Sequence, residues 1–121
     1  MLLVAAVILF LTGVAHSYLG ERYLLMRLFK RDNLPAILGS TALTAGTLRF
    51  AWHLTTVAWW GLGAIVLLVG YGTVSKDTVL LTIGIAALIS AVFPIYFTRG
   101  KHLSWIAFLL VGALLLTARA G

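Results

Sequence analysis

A chain of 121 residues that is 62% hydrophobic and 10% charged, with a mean hydropathy of +1.09, is not a soluble domain, which carries roughly 25% charged residues. It has no cysteine, which excludes disulfides, thiolate metal sites and thiol nucleophiles. The net charge of +6 comes from basic residues that flank apolar runs, so anionic lipid headgroups, not nucleic acid, are the expected partner.

A membrane-crossing helix needs about 20 mostly apolar residues. The first such run, residues 2–19, carries no charge. No Lys or Arg precedes it, as a cleaved signal would require, so it is expected to be retained. Residues 22–47 follow as a basic connection. Its first part, RYLLMRLFKR, mixes large apolar and basic side chains. It reads as a short interfacial helix or as a solvated basic loop. Asn33, Leu34 and Pro35 break it, and Ser40 or Thr41 is placed to cap a helix that runs on into the second span, residues 48–70. A tight turn with Ser75 or Asp77 as N-cap leads to the third span, residues 78–97. Arg99-Gly100-Lys101 is a near-minimal turn, so the third helix and the short fourth, residues 103–118, are expected as antiparallel neighbours.

These runs are continuously apolar, unlike the alternating strands of a membrane barrel. The expected fold is therefore all-α: a single domain, residues 1–121, forming an integral membrane four-helix bundle. Arg22, Arg27, Lys30, Arg31, Arg49, Arg99 and Lys101 fall on one side and only Lys76 and Arg119 on the other, seven against two. That bias puts both basic connections in the cytoplasm and both termini on the outer, periplasmic side.

With that topology the scarce polar groups gather at one depth. At a rise of about 1.5 Å per residue, His16 lies roughly 6 Å, and His53 roughly 7 Å, from the same membrane face. Glu21 follows the first span, and His102 opens the fourth. Arg49, Trp52, His53, Thr56 and Trp60 share a helix face, and Ser17 and Glu21 lie one turn apart. Pro94 interrupts the hydrogen-bond ladder of the third helix near the same level. Ionisable groups within membrane spans are costly and point to a site. His16, Glu21, Arg49 and His53 are the candidate ligand-binding residues.

Several uses of that site follow from its chemistry. The four side chains can simply tie the first two helices together. His16, His53 and Glu21 can hold a divalent metal, or the two imidazoles a haem b iron, with Arg49 on a propionate. Gly13 and Gly20 flank His16 and would let a flat ring approach the backbone. Catalysis by Ser17 with His16 is not reasonable, because sequence neighbours on a helix point apart; a His base paired with Glu21 remains open. Small residues at Ala86/Ser90 and Ala87/Ala91 suit close helix contact within the chain or in a homo-oligomer.

The segments His16-Ser17-Tyr18-Leu19-Gly20-Glu21-Arg22 and Arg49-Phe50-Ala51-Trp52-His53-Leu54-Thr55-Thr56 resemble a family of small bacterial inner-membrane proteins of four helices. The likeness covers the first two helices and their connection. It implies a fold type and a bacterial inner-membrane location, and carries no activity. The expected function is thus a non-enzymatic membrane protein that binds a ligand, metal or haem near the cytoplasmic face, or serves a larger membrane complex. A small-solute or proton-coupled transporter is the alternative, and a membrane enzyme acting on a lipid-soluble substrate the second.

Overall fold

The structure, a computed structural model, describes residues 1–121 and is entirely helical. Helix α1 spans Leu2–Leu28, α2 Thr41–Gly70, α3 Lys76–Thr98 and α4 Ser104–Ala120. The first three are long and apolar enough to cross a membrane. At 17 residues, α4 reaches about 25 Å, short of the roughly 30 Å of a bilayer's hydrocarbon core.

Helix α1 does not stop near Gly20. It continues through a π turn over Gly20–Leu25 and ends after Leu28. The stretch expected as a separate interfacial helix is therefore mostly the last turns of α1. Gly20 has φ −62°, an ordinary right-handed conformation, so it is not a helix terminator. Its lack of a side chain serves contact instead, because a Cβ there would overlap the Trp52 indole. Such π turns widen a helix locally and recur at functional sites.

The connections follow local chemistry. Ile37 and Ser40 exchange backbone hydrogen bonds of 3.2 and 2.9 Å. Between them Leu38 and Gly39 take φ 50° and 76°, the double left-handed geometry of a two-residue turn. The Ser40 hydroxyl then caps α2 by accepting from the Leu43 N–H. Ser75 and Thr78 form a reciprocal capping box at the start of α3. Arg99, left-handed at φ 52°, ends α3.

Each helix packs on its neighbours in sequence, α1 on α2, α2 on α3 and α3 on α4, while the α1 backbone does not come within 8 Å of α3 or α4. The bundle is open. Helix α2 forms a floor with α1 on one flank and α3 on the other, and a cleft remains between the flanks. Only 18 of 121 residues are buried, and large apolar side chains cover the outside, an exterior suited to lipid. Ala87, Ser90 and Ala91 are buried inside the chain, so these small residues serve internal packing. Pro94 is fully buried, and α3 runs through it unbroken.

Candidate functional site

Helices α1 and α2 meet along two stripes. On the first, residues one turn apart on α2 donate to α1 carbonyls three residues apart. Trp52 Nε1 donates to the His16 carbonyl (3.0 Å), Thr56 Oγ1 to that of Gly13 (3.1 Å) and Trp60 Nε1 to that of Phe10 (3.1 Å). The glycines make this possible. A Cβ on Gly13 would come within 2.5 Å of the Trp60 indole nitrogen. The flat rings that approach the α1 backbone at Gly13 and Gly20 are thus the chain's own tryptophans.

His16 belongs to this stripe. Its ring stacks on Trp52 with centroids 4.4 Å apart and planes within 3°, and Trp59 meets it edge-on at 5.1 Å. Its Nε2 lies 3.3 Å from the Trp52 carbonyl. A carbonyl only accepts, so that nitrogen carries the proton. His16 and Trp52 therefore clasp each other, each donating to the other's backbone.

The second stripe carries the charges. Arg49 grips Glu21 with two bonds, Nη2 to Oε1 at 2.7 Å and Nε to Oε2 at 3.1 Å. Its guanidinium also lies over the Phe29 ring at 4.9 Å. His53 Nε2 is 3.1 Å from Glu21 Oε2, and His53 Nδ1 is 2.9 Å from Ser17 Oγ. Ser17 Oγ is 2.7 Å from Thr56 Oγ1. Phe93 and Phe97 of α3 stack beside the imidazole, at 6.4 and 5.8 Å between centroids. One continuous relay thus runs from Arg49 through Glu21, His53 and Ser17 to Thr56.

Proton counting gives this relay two self-consistent states. If Thr56 donates to the Gly13 carbonyl, its one proton is used. Ser17 must then donate to Thr56 and accept from His53 Nδ1–H. The Nε2 contact with a carboxylate needs a proton as well, so His53 is an imidazolium in this state. If Thr56 instead turns its hydroxyl to Ser17, the two contacts of Ser17 reverse, the Gly13 carbonyl loses this donor, and the Nε2–H bond to Glu21 keeps its direction. Ser17 donates to Nδ1, and Nε2–H donates to Glu21. The states share their heavy atoms and differ by one proton. The second is a hydroxyl–imidazole–carboxylate series, the arrangement that activates serine nucleophiles.

Ser17, Glu21, His53 and Thr56 line a groove of about 550 Å³ between α1, α2 and the Phe93 edge of α3. The rest of its wall includes Val14, Tyr18, Val57 and Trp60, with Arg22 and Met26 at the basic end. It is a large, mainly apolar cavity with a few convergent polar groups, as small-molecule sites are.

Of the four residues expected at the site, Glu21, Arg49 and His53 come together and His16 turns away. The three members of the expected metal set, His16, His53 and Glu21, are not brought together, because His16 faces Trp52 and Trp59. No group of three or more His, Cys, Asp or Glu side chains gathers in a metal-holding arrangement. The physical reason is angular. Trp52 and His53 are adjacent on α2 and point about 100° apart, as do His16 and Ser17 on α1. The partner that reaches His53 is therefore Ser17. The two imidazoles expected as axial haem ligands are likewise turned apart, and the indoles of Trp60 and Trp52 lie against Gly13 and Gly20. His102 stands apart, bonded to Ser104 at 2.9 Å and edge-on to Phe50.

Sequence reading put Arg49, Trp52, His53, Thr56 and Trp60 on one face of α2, which the structure divides between the two stripes, and it did not assign Ser17, Thr56, Trp52 or Trp60 to the site. The signal that finds them is the i, i+4 series Trp52, Thr56, Trp60 facing the glycine spacing of α1. No protein-family model, curated protein or solved structure matches the chain, so the side chains of the relay and its groove are what speak for its chemistry.

Proposed function

We propose that the chain is a multi-pass membrane protein that binds an amphipathic small molecule in the groove beside His53, without a catalytic step. In this reading the four helices cross the inner membrane of a bacterium, the location its resemblance implies, and the short α4 crosses where the bilayer thins. The seven basic residues of the connections lie in the cytoplasm and both ends outside. The site then sits one to two turns inside the cytoplasmic leaflet. The observation that carries the reading is the coincidence of relay and groove. The polar groups of α1 and α2 that could have been buried entirely against each other also line an apolar cavity of about 550 Å³. A ligand with an apolar body and one polar end matches both parts.

The test is to purify the chain from its native membrane and identify bound small molecules by mass spectrometry. A defined compound should accompany the natural chain and be lost from His53→Ala and Ser17→Ala, with helical content unchanged. Equal recovery from all three, or no compound beyond bulk lipid, overturns the proposal.

A second reading is favoured by one observation, the order Ser17–His53–Glu21 in the less protonated state. A membrane enzyme would use Ser17 as nucleophile towards an ester of a lipid-soluble substrate. The indole N–H groups of Trp52 and Trp60 are already given to α1 carbonyls and so do not serve as oxyanion donors, and this reading stands second. Covalent labelling of Ser17 by a fluorophosphonate, abolished in His53→Ala, would promote it.

A further inference from the structure

Resting on the binding reading above, we infer that the occupant is a single-chain amphiphile with an anionic head. Its head lies at the mouth beside Arg22, and its tail runs along α2 past Trp60 into a second cleft between α2 and α3.

The charge argument concerns the mouth. The chain has three acidic residues, Glu21, Asp32 and Asp77. Glu21 is fully engaged, one oxygen on Arg49 and the other shared by Arg49 and His53. Arg22 lines the groove and has no carboxylate partner, since the ion pairs of the chain all end on Glu21. The nearest aromatic ring, that of Tyr23, leaves its guanidinium 5.9 Å from the centroid. The mouth therefore presents an unpaired, bidentate cation next to a cluster whose own carboxylate is already neutralised. A carboxylate or phosphate head is the complementary group.

The tail argument concerns the groove's continuation. A second cleft of about 280 Å³ lies between α2 and α3, and it shares Val57 and Trp60 with the first. His53, Val57, Gly61 and Ala64 follow one another on α2 by i, i+4 and i+3 spacing, with Trp60 beside them on the wall of both cavities. The two cavities thus lie end to end along one helix face. The second exists because Gly61, Ala64 and Ala86 are small, with Ile85 and Ile89 completing its wall. The eleven steps from His53 to Ala64 rise about 17 Å, close to half of a hydrocarbon core of roughly 30 Å. The path starts at the basic end and heads towards the middle of the helices, as a lipid tail does in its leaflet. The second cleft, at about 280 Å³, falls below the roughly 300–1,000 Å³ of small-molecule sites and admits one chain in single file.

In a bilayer the tail leaves one hydrocarbon phase for another, so it gains little from burial itself. Selectivity must come from the head and from position. The experiment therefore reads position. The full chain is placed in nanodiscs of phosphatidylcholine. The probe is a long-chain fatty acid bearing a photoreactive diazirine either next to the carboxylate or at the far end of its chain. Its methyl ester and the matching monoalkyl phosphate are used in parallel. The head-labelled acid should crosslink near Tyr18 and Arg22 of α1, and the tail-labelled acid on residues 82–89 of α3. Arg22→Gln should lower crosslinking of the acid or the phosphate about tenfold and leave the ester unchanged. Whichever of the two anions labels more strongly tells carboxylate from phosphate.

Gly61→Leu should erase the tail label on α3 and keep the head label, since a Cβ on Gly61 points at the Ala86 Cβ, 3.7 Å away. Ala86→Leu closes the same cleft from the opposite wall, which guards against one variant failing to fold. If acid, phosphate and ester label the groove equally, or the tail label spreads over outward faces such as that of α4, the inference is overturned while the binding reading stands. If no probe labels the groove above the outward faces, and nothing accompanies the chain from its native membrane, both fall.

Discussion

The two outer helix seams are built on opposite principles. Helices α1 and α2 are joined by directed bonds. Two indoles and a hydroxyl of α2 donate to α1 carbonyls, and a carboxylate, an imidazole and a guanidinium close the basic end. Helices α3 and α4 are joined by shape. Gly84 and Gly112 face each other, and Leu88 and Leu116 fill the space beside them. In lipid, apolar surface alone does not drive helices together, so close packing and interhelical hydrogen bonds are the two available means. This chain uses one at each seam. The directed seam is also the one that borders the groove, because only polar groups can both hold a helix pair and address a ligand.

Substitution by shape and substitution by polarity should therefore act on different seams. The largest effect is expected where both means meet. Gly20→Leu would drive a side chain into the Trp52 indole and separate the His16–Trp52 clasp. Overpacking of this kind costs typically 1–3 kcal/mol, and the upper end, about 3 kcal/mol, is expected in a denaturant titration in detergent micelles. Glu21→Ala comes next. It leaves Arg49 and His53 without their counterion at a site where Glu21 and Arg49 are each about 30% exposed. Loss of a partner for such half-buried groups should cost about 2 kcal/mol, and Glu21→Gln should recover part of it by keeping an acceptor. An effect below 0.5 kcal/mol for Glu21→Ala, a cut-off of roughly the size of surface substitutions, would mean that the seam does not depend on its charges.

At the other seam, a Cβ on Gly112 would come 2.5 Å from Leu88 Cδ2. Gly112→Ala should cost about 1 kcal/mol, the low end for overpacking. Adding Leu88→Ala should remove the conflict, so the double variant should be more stable than the sum of its parts predicts. A double-mutant cycle at Gly112 and Leu88 that shows no coupling would break the contrast, because a seam held by shape must respond to exchanged volume.

The same division explains what was legible in the sequence. The helices were visible because hydropathy runs report length and solvent together, and the Ser40 cap was visible because a hydroxyl before an apolar run has one local use. Glu21, Arg49 and His53 were brought to one level by depth alone. The fate of His16 was not visible, since depth ranks residues along a helix axis and says nothing of rotation about it. The π turn at Gly20–Leu25 was hidden for a related reason. A glycine after an apolar span has the pattern of a C-cap, and only the indole of Trp52, distant in sequence, makes it a contact residue.

The smallest effects test whether the directed seam is directed. Trp60→Phe keeps a ring against Gly13 and removes only the donor to the Phe10 carbonyl. Thr56→Val keeps volume and removes the hydroxyl that joins Ser17 to the Gly13 carbonyl. Interhelical hydrogen bonds in membranes average about 0.6 kcal/mol. Trp60→Phe should therefore cost about that much, and Thr56→Val about twice it, having two such contacts. Thr56→Val should also freeze the relay. Without that hydroxyl, Ser17 loses its only acceptor other than His53, and the imidazole is held as the Nε2–H tautomer with Ser17 donating to Nδ1. Nitrogen-15 spectra of labelled histidine should then show one tautomer for His53 in the variant, and the signals of His16 should not move. A change at His16 equal to that at His53 would mean that the two stripes of α2 form one network rather than two, and the separation of clasp from relay would be lost.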